Sequence, residues 1–322
     1  MAQVKPAATH TISPKVVPTF YFIGVTTRQS SIVQLFPLWM RELGFPEVAL
    51  EGIDLQLDDE PERYREVVAQ IKWDSRSLGG LVITHKINLL SAAQDMFDYL
   101  DPYATLLHEI SSISNQNGRL EGHAKDPVSA GKTLDALLDA EYFARTTQAE
   151  VLCLGAGGAG TAIALHLCSK PSPDDCPVRM VVTDRMQERL DHLQQTIARV
   201  NLRIAFEFRL IDAPEQTDAL MASVSPGSLV INATGLGKDR PGAPITDAAL
   251  FPENALAWEL NYRGELDFMR QPLRQQASRR LRVEDGWVYF LHGWTQVIEQ
   301  VLHIPMGGAL FERLAEIAGR VR

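Results

Sequence analysis

A glycine-rich turn, Leu-Gly-Ala-Gly-Gly-Ala-Gly, constrains the fold of this chain more than any other feature of its sequence. The turn follows an apolar run at 151–154 and opens an Ala- and Leu-rich stretch, which is the setting of a strand that leads into a helix. In this spacing Gly155 permits a tight turn, Gly157 lets a pyrophosphate approach the backbone, and Gly160 lets helix and strand pack closely. The alternative is a tight turn in an α/β sheet that binds no ligand. The candidate cofactor-binding residues here are Gly155, Ala156, Gly157, Gly158, Ala159 and Gly160.

Apolar runs alternate with stretches of helical periodicity along most of the chain, which predicts parallel sheets joined by crossover helices. The predicted strands are 19–25, 48–57, 81–84, 151–154, 179–183, 204–210, 229–232 and 255–260. The predicted helices are 33–43, 61–72, 87–100, 128–143, 288–301 and 308–321. The stretch 110–125 departs from this alternation, because Asn117-Gly118 between two short runs predicts a β-hairpin. A chain of 322 residues is longer than one domain core usually holds, so two domains are expected.

Composition excludes several classes of protein. With 45% hydrophobic and 22% charged residues the chain can bury a normal core, and it has no apolar run long enough to cross a membrane. A net charge of −9 argues against a general affinity for nucleic acid or anionic membrane. The three cysteines fit neither a disulfide framework nor a zinc signature, so no metal is expected, and the absence of a signal peptide predicts a cytoplasmic protein. Residues 1–18 are expected to form a flexible tail.

An acidic residue ends the second strand of the predicted dinucleotide-binding half. Asp184 could accept hydrogen bonds from the adenosine ribose hydroxyls, which favours NAD, whereas a 2′-phosphate would be repelled and only partly compensated by Arg185. Asp184 lies 29 residues after Gly155, and the Pro- and Ser-rich insertion at 170–177 accounts for the long separation. The alternative role for Asp184 is an exposed helix N-cap.

The first half of the chain offers a second set of candidates. Lys86 follows a short apolar strand, and ligands of parallel α/β sheets bind beyond the carboxyl ends of strands. A lysine desolvated in a cleft can act as a base, and Asp126, after the hairpin, could orient a substrate hydroxyl beside it. Without further support, a solvated surface pair is the simpler interpretation. His85 is expected to cap or pack rather than to act in catalysis.

Taken in order, the segments IGVTTRQSS, LVITHK, NGRLEGHAKD, LGAGGAG, VTDR, INATGLG and ELNYRGE resemble the shikimate/quinate dehydrogenase family over about residues 20–304. The resemblance implies an α/β fold with an N-terminal α/β substrate domain, a Rossmann dinucleotide-binding domain and a C-terminal helical return. The implied boundaries are 19–126 with 287–322 for the substrate-binding catalytic domain and 127–286 for the Rossmann domain. It also implies oxidation of a ring alcohol with hydride transfer to C4 of the nicotinamide.

The family's functional residues carry over unevenly. Its catalytic lysine and aspartate match Lys86 and Asp126. On the substrate side the carry-over gives Ser30, Ser31, Thr84, Ser111, Tyr262 and Gln296. On the cofactor side it adds Asp184, Arg185, Asn232, Ala233, Thr234 and Gly286 to the glycine-rich turn. The second serine of the family's carboxylate clamp falls on Ile32, unless a slip gives its role to Ser31. The family's threonine falls on Val82 in an ungapped alignment, or on Thr84 if two residues are deleted. Its last-helix glutamine falls on Gly293, one helical turn from Gln296, and its Asn-Thr before the aspartate is Ala124-Lys125.

These departures shape the expected function. We expect an NAD(P)-dependent dehydrogenase of the shikimate type, with NAD favoured and NADP as the alternative, acting on a small polyhydroxy carboxylic acid. A changed hydroxyl-binding site should change the preferred substrate strongly. A quinate or aminoshikimate-type dehydrogenase is the nearest rival, and a non-catalytic or regulatory dinucleotide-binding homologue is the rival of another class. The expected assembly is a monomer or a homodimer.

Overall fold

The computed structural model describes residues 12–200, 203–238 and 240–322. The chain divides into two compact units, one running up to Lys125 and resuming at Trp294–Arg322, the other comprising Asp126–Gly293; we call them unit 1 and unit 2. Each unit contains a six-stranded sheet. The predicted α/β class is confirmed. Which unit binds substrate and which binds cofactor stays a prediction.

Strands and helices alternate through both units. The strands are β1 Thr19–Gly24, β2 Ala49–Asp54, β3 Ser77–Val82, β4 Tyr99–Leu100, β5 Ser112–Gln116, β6 Arg119–His123, β7 Val151–Leu154, β8 Arg179–Asp184, β9 Ala205–Leu210, β10 Leu229–Asn232, β11 Leu256–Glu259 and β12 Arg282–Glu284. The helices are α1 Ile32–Leu43, α2 Pro61–Trp73, α3 Lys86–Ala93, α4 Pro102–Leu107, α5 Asp126–Leu137, α6 Tyr142–Arg145, α7 Gly158–Cys168, α8 Gln187–Ile197, α9 Pro214–Ala222, α10 Arg270–Arg279, α11 Trp287–Leu302 and α12 Gly308–Gly319.

The sheet of unit 1 is mixed, with the order β2-β1-β3-β5-β6-β4. Strands β1, β2 and β3 are parallel, whereas β5 runs antiparallel to both β3 and β6. The ends of β1, β3 and β6 and the start of β5 therefore meet at one edge. The C-terminal part of α11 covers this sheet, with Trp294 packed edge-on to Phe22 at 4.9 Å between ring centroids.

The sheet of unit 2 is entirely parallel, with the order β12-β11-β10-β7-β8-β9. Its first strand in the chain, β7, lies in the middle, with β8 on one side and β10 on the other. This is the strand order of a doubly wound dinucleotide-binding sheet, whose ligand crevice opens where the strand order reverses. The crevice predicted by that order lies at the carboxyl ends of β7 and β10.

Several local predictions are wrong. The predicted helix 87–100 ends at Ala93, because Asp98 exchanges backbone and side-chain hydrogen bonds with Leu120 and brings β4 alongside β6. Strand β3 begins four residues earlier than predicted and includes Gly80. A Cβ there would lie 2.1 Å from the carbonyl oxygen of Tyr21, so glycine is what allows the two strands to approach. Sequence periodicity reveals neither the pairing of β4 with β6 nor the close approach of β3 to β1.

The expected tail and the hairpin have different outcomes. Residues 1–11 lie outside the described residues. Residues 12–18 are not loose, because Ser13 exchanges hydrogen bonds with the Gln70 amide and Lys15 forms an ion pair with Glu51 at 2.7 Å. The hairpin prediction is confirmed, with both Asn117 and Gly118 at positive φ, as its tight turn requires. Within the described ranges, no helix is long and apolar enough to cross a membrane.

Candidate active site

The edge of unit 1 where four strand ends meet holds most of the predicted substrate residues. Ser30 and Ser31 follow β1, Thr84 and Lys86 follow β3, and Ser111 directly precedes β5. Backbone hydrogen bonds join these segments: the N–H of Val82 donates to the carbonyl of Ser111 at 2.9 Å, and Ile110 donates to Lys86 at 3.3 Å. The edge thus brings residues from distant parts of the sequence into one neighbourhood.

The turn before Lys86 is strained. Thr84 has φ +62°, a conformation that β-branched residues rarely adopt. Such strain occurs disproportionately at functional sites. His85 is buried, with Nδ1 3.2 Å from the Tyr64 hydroxyl and Nε2 3.3 Å from the carbonyl of Gly24, which fits the packing role expected for it. Lys86 is the first residue of α3.

Ser111 anchors the segment that leads to Asp126. Its Oγ accepts the backbone N–H of Lys125 at 2.7 Å, and its side chain is buried. Burial lowers the pKa of the Lys125 ammonium, while the carboxylates of Asp101 and Glu299 act in the opposite direction. Asp126 begins α5 and belongs to unit 2, whereas Lys86 belongs to unit 1. Because the two residues belong to different units, the catalytic pair of Lys86 and Asp126 stays a prediction.

The last predicted substrate residue of unit 1 has a protein partner. Gln296 is buried in α11 and donates its amide to Glu299 at 2.9 Å. Ile32 is fully buried, so the position of the second clamp serine is occupied by a core side chain. A Cβ on Gly293 would meet nothing within 4 Å. The substrate roles of these positions remain untested.

The glycine-rich turn of unit 2 has the geometry that a pyrophosphate site requires. Gly155 has φ +112°, and a Cβ there would lie 2.7 Å from the carbonyl oxygen of Ala233. A Cβ on Gly160 would lie 2.1 Å from the carbonyl oxygen of Gly155, so helix α7 approaches the turn as closely as glycine allows. Gly157, the N-cap of α7, has open space where its Cβ would be. Helix N–H groups facing open space favour an anionic ligand.

Asp184 is engaged by the backbone. Its Oδ2 accepts the N–H of Ala156 at 2.8 Å and its Oδ1 accepts the N–H of Met186 at 3.0 Å. Its carboxylate therefore ties the glycine-rich turn to the end of β8. Arg189 approaches the same carboxylate, with Nη1 3.8 Å from Oδ2. The expected role of Asp184 as a ribose acceptor is not tested by these contacts.

A cavity of about 680 Å³ opens beside the turn. Four of the cofactor-binding residues predicted from the sequence line this cavity: Gly155, Asp184, Arg185 and Thr234. Sequence reasoning missed two further arginines on its wall, Arg189 and Arg240. Arg189 lies four residues after Arg185, close to the start of α8, and this helical spacing was the available signal.

The carboxyl ends of β10 and β11 are tied together by a buried acid that sequence reasoning also missed. Glu259 accepts a hydrogen bond from Asn232 Nδ2 at 2.6 Å and another from the backbone N–H of Asn261 at 2.8 Å. Its burial raises the pKa of its carboxyl to about 7, although these hydrogen bonds oppose the shift. The segment ELNYRGE contained the only signal, an acid at the end of an apolar strand.

The remaining predicted residues of unit 2 surround an aromatic cluster. Tyr262 lies 4.4 Å from the ring of Phe290 and 5.6 Å from that of Trp287, between ring centroids. Gly286 donates its N–H to the carbonyl of Asn261 at 3.0 Å, and a Cβ there would lie 2.0 Å from the carbonyl oxygen of Leu260. The strand ends of β11 and β12 thus approach as closely as glycine permits.

Comparisons with known proteins agree with this architecture. The family model of the saccharopine dehydrogenase NADP-binding domain matches residues 151–240. A shikimate dehydrogenase (NADP⁺) of Symbiobacterium thermophilum is 26% identical over 255 residues, which cover 79% of this chain and 80% of that protein. A shikimate dehydrogenase (NADP⁺) of Thermus thermophilus is 28% identical over 267 residues, which cover 83% and 86%.

The solved structures extend the likeness in fold. Shikimate 5-dehydrogenase from Thermus thermophilus, in complex with NADP(H) and shikimate, superposes with a TM-score of 0.67 at 20% identity, over 94% of this chain and 99% of that one. Over most of its length the chain is thus similar to shikimate dehydrogenases in sequence and in fold. This similarity, over about four fifths of the chain, supports the expected nicotinamide-dinucleotide-dependent oxidoreductase acting on a CH–OH group.

Proposed function

We propose that this protein interconverts a shikimate- or quinate-type ring alcohol and its ketone, with dinucleotide bound to unit 2 and substrate to unit 1. The observation that carries the proposal is the glycine-rich turn at the switch point of an all-parallel sheet, with open space over Gly157. A dinucleotide held by this turn would supply its nicotinamide as the hydride acceptor. Everything else in the reaction is the work of this chain's side chains.

Lys86 is the proposed general base. It accepts the proton of the substrate hydroxyl as the carbinol carbon is oxidised, and it returns that proton in the reverse direction. Asp126 is proposed to accept a hydrogen bond from the same region of the substrate and to orient it. Support comes from the strained turn at Thr84, which directly precedes Lys86, and from the bond between Ser111 and Lys125, which fixes the backbone just before Asp126.

We propose that the dinucleotide is NADP, with NAD as the alternative that Asp184 first suggested. Both oxygens of Asp184 already accept one backbone N–H each, which leaves this carboxylate fewer lone pairs for the hydroxyls of a ribose. Arg185, Arg189 and Arg240 line the same cavity and are suited to a phosphate. The match to an NADP-binding domain model and the NADP-linked relatives support the same choice.

We infer that the substrate differs from shikimate in the groups that the family's clamp would hold. Ile32 is buried where the second clamp serine would lie, and Gly293 replaces a side-chain amide. A site that has exchanged hydroxyl-binding groups for apolar or missing ones discriminates strongly against the original substrate. Among compounds of this class, the best substrate is expected to lack at least one of the polar groups that the clamp serine or the side-chain amide would bind.

The test is turnover of shikimate, quinate and aminoshikimate with NADP⁺ and with NAD⁺, followed by the absorbance of the reduced nicotinamide. We expect reduction with at least one substrate and a higher kcat/KM with NADP⁺. Lys86→Ala should lower kcat by at least about a hundredfold, the usual worth of a general base, while the Kd for NADP⁺ stays unchanged. Lys132→Ala removes an exposed lysine of α5 and should leave turnover as it is.

Each part of the proposal has its own contrary outcome. Tight NADP⁺ binding without turnover of any substrate would support the non-catalytic homologue instead. Unchanged turnover in Lys86→Ala would remove that residue from the mechanism. A higher kcat/KM with NAD⁺ would restore the ribose-binding role of Asp184.

A further inference from the structure

A ring of hydrogen bonds behind the dinucleotide cavity of unit 2 closes on one buried carboxylate. Glu259, at the end of β11, has no exposed surface. One of its oxygens accepts from Asn232 Nδ2 at 2.6 Å, and the other accepts from the backbone N–H of Asn261 at 2.8 Å. Asn232 is equally buried, at the end of the neighbouring strand β10. The carboxylate therefore joins two strand ends at the edge where a dinucleotide would lie.

The ring continues through the wall of the cavity. Asn232 Oδ1 accepts from the Thr234 hydroxyl at 2.6 Å and from the Thr234 N–H at 3.1 Å. The Thr234 hydroxyl oxygen accepts the N–H of Leu236 at 3.2 Å, and the carbonyl of Leu236 accepts from Asn261 Nδ2 at 3.0 Å. Thr234 and Leu236 line the cavity. We call residues 234–236 the cavity wall; its position depends on groups that bind Glu259.

We propose that Glu259 is a positioning residue for the dinucleotide, whose ionised form holds the cavity wall in place and whose protonation weakens dinucleotide binding. The inference rests on the proposed function, because it takes the cavity beside the glycine-rich turn to be the dinucleotide site. It adds a residue that does not touch the ligand and acts through Asn232 and Thr234.

The chemistry of the ring explains the dependence on ionisation. An ionised carboxylate only accepts hydrogen bonds, and both groups that face it, the Asn232 amide and the Asn261 N–H, are donors. Hydrogen bonds to a charged acceptor are about twice as strong as neutral ones. Protonation weakens both bonds and introduces an O–H donor among donors. The Asn232 amide then holds Thr234 less firmly, and the cavity wall gains freedom.

The surroundings of Glu259 bring this change into the neutral range. The facing groups from β10 and from the turn after β11 are the uncharged amides of Asn232 and Asn261. From the end of β12 the carboxylate of Asp285 acts on Glu259, and like burial it disfavours the ionised form. Burial, helped by Asp285 and opposed by the hydrogen bonds from Asn261 and Asn232, raises the pKa of Glu259 to about 7.

The experiment compares the Kd for NADP⁺ of the wild type and of Glu259→Gln from about pH 5.5 to about pH 8.5 by calorimetric titration. The ligand's own titration is common to both proteins, so the ratio of the two Kd values isolates residue 259. We expect the Kd of Glu259→Gln divided by the Kd of the wild type to be close to one at the acid end and about ten at the alkaline end. A tenfold ratio corresponds to a fall of about one unit in the pKa of Glu259 when NADP⁺ binds. The inflection should lie near pH 7.

A matched control is available in the same sheet. Glu150 is also buried, and its carboxylate accepts from Arg179 at 2.7 Å and from the Ser225 N–H at 3.0 Å, at the opposite edge. The ratio for Glu150→Gln should not vary with pH. A merely structural role for Glu259 would likewise give a ratio without an inflection.

The outcomes separate the inference from the proposed function. A flat ratio for Glu259→Gln, or the same inflection in Glu150→Gln, overturns the inference. If Glu259→Gln does not fold, Glu259→Asp is used instead, because it keeps a carboxylate on a shorter side chain. In Glu259→Asp the inflection in the pH dependence of the Kd should move to another pH. A pH dependence of the Kd equal to that of the wild type overturns the inference as well. Failure of the wild type to bind NADP⁺ at any pH instead counts against the proposed function.

Discussion

At the scale of the residue, the glycines of the turn after β7 have different tasks although the motif treats them alike. Gly155 and Gly160 are required by the protein itself, because a Cβ at either position would collide with backbone. Gly157 faces open space, so contacts with the protein do not exclude a side chain there, whereas a bound pyrophosphate would. The sequence predicted this division of roles, and the Cβ distances of Gly155 and Gly160 agree with it.

This difference predicts opposite consequences for two alanine variants. Gly157→Ala should lower the free energy of unfolding by less than about 1 kcal/mol, as alanine does at an N-cap. It should bind NADP⁺ at least about tenfold more weakly, because its methyl group occupies space that the pyrophosphate needs. Gly160→Ala should lower the free energy of unfolding by about 1–3 kcal/mol, as overpacking does. Urea unfolding and calorimetric titration measure the two effects. Equal loss of stability in both variants would contradict the assignment.

At the scale of the element, helix α1 shows which boundaries a sequence can predict. Its predicted end at residue 43 is confirmed, with Gly44 at φ +85° and its N–H donated to the carbonyl of Arg41 at 3.2 Å. The end of α3 was missed, because β4 pairs with β6 through Asp98 and Leu120. A helix cap depends on neighbouring residues and can be predicted from them, whereas a pairing between strands distant in sequence cannot.

The cap of α1 leads to a prediction with a sign control. Gly44→Ala places a side chain in the left-handed region and should lower the free energy of unfolding by about 1 kcal/mol. Gly319→Ala, in the last turn of α12, has ordinary φ and open space, so it should be neutral or stabilise by up to about 1 kcal/mol. Urea denaturation of both variants is the measurement. Equal effects in the two helices would show that the cap geometry does not matter.

At the scale of the whole molecule, two buried titratable groups of unit 2 act in opposite directions. Burial raises the pKa of Glu259 to about 7, so its contribution to stability is complete below about pH 4.5 and is lost as the pH rises through 7. Burial lowers the pKa of His292 to about 4, helped by the charge of Lys132, so its contribution is complete above about pH 6.5 and is lost as the pH falls. Between these limits the two slopes oppose each other.

The opposition predicts what a single substitution reveals. The wild type loses stability as the pH falls, because the buried His292 resists protonation, and His292→Leu removes this loss. As the pH is lowered from about 6.5 to about 5, the free energy of unfolding of His292→Leu should rise by about 2 kcal/mol relative to that of the wild type. His192→Leu, on the exposed face of α8, is the matched control for replacing a histidine with leucine. Denaturant unfolding across this range is the measurement. A stability difference independent of pH would mean that His292 titrates alike in the folded and unfolded states.

The sequence alone determined the α/β class, the hairpin at Asn117-Gly118, the glycine-rich turn and the resemblance to shikimate dehydrogenases. All of these depend on periodicity, turn chemistry or contiguous motifs, which are properties of neighbouring residues. Tertiary structure decided that Asp184 binds the backbone of Ala156, that Glu259 closes a ring through Asn232, and that Ser111 holds Lys125. These arrangements depend on which strands become neighbours and on how far each side chain is removed from water, and neither is expressed in local sequence.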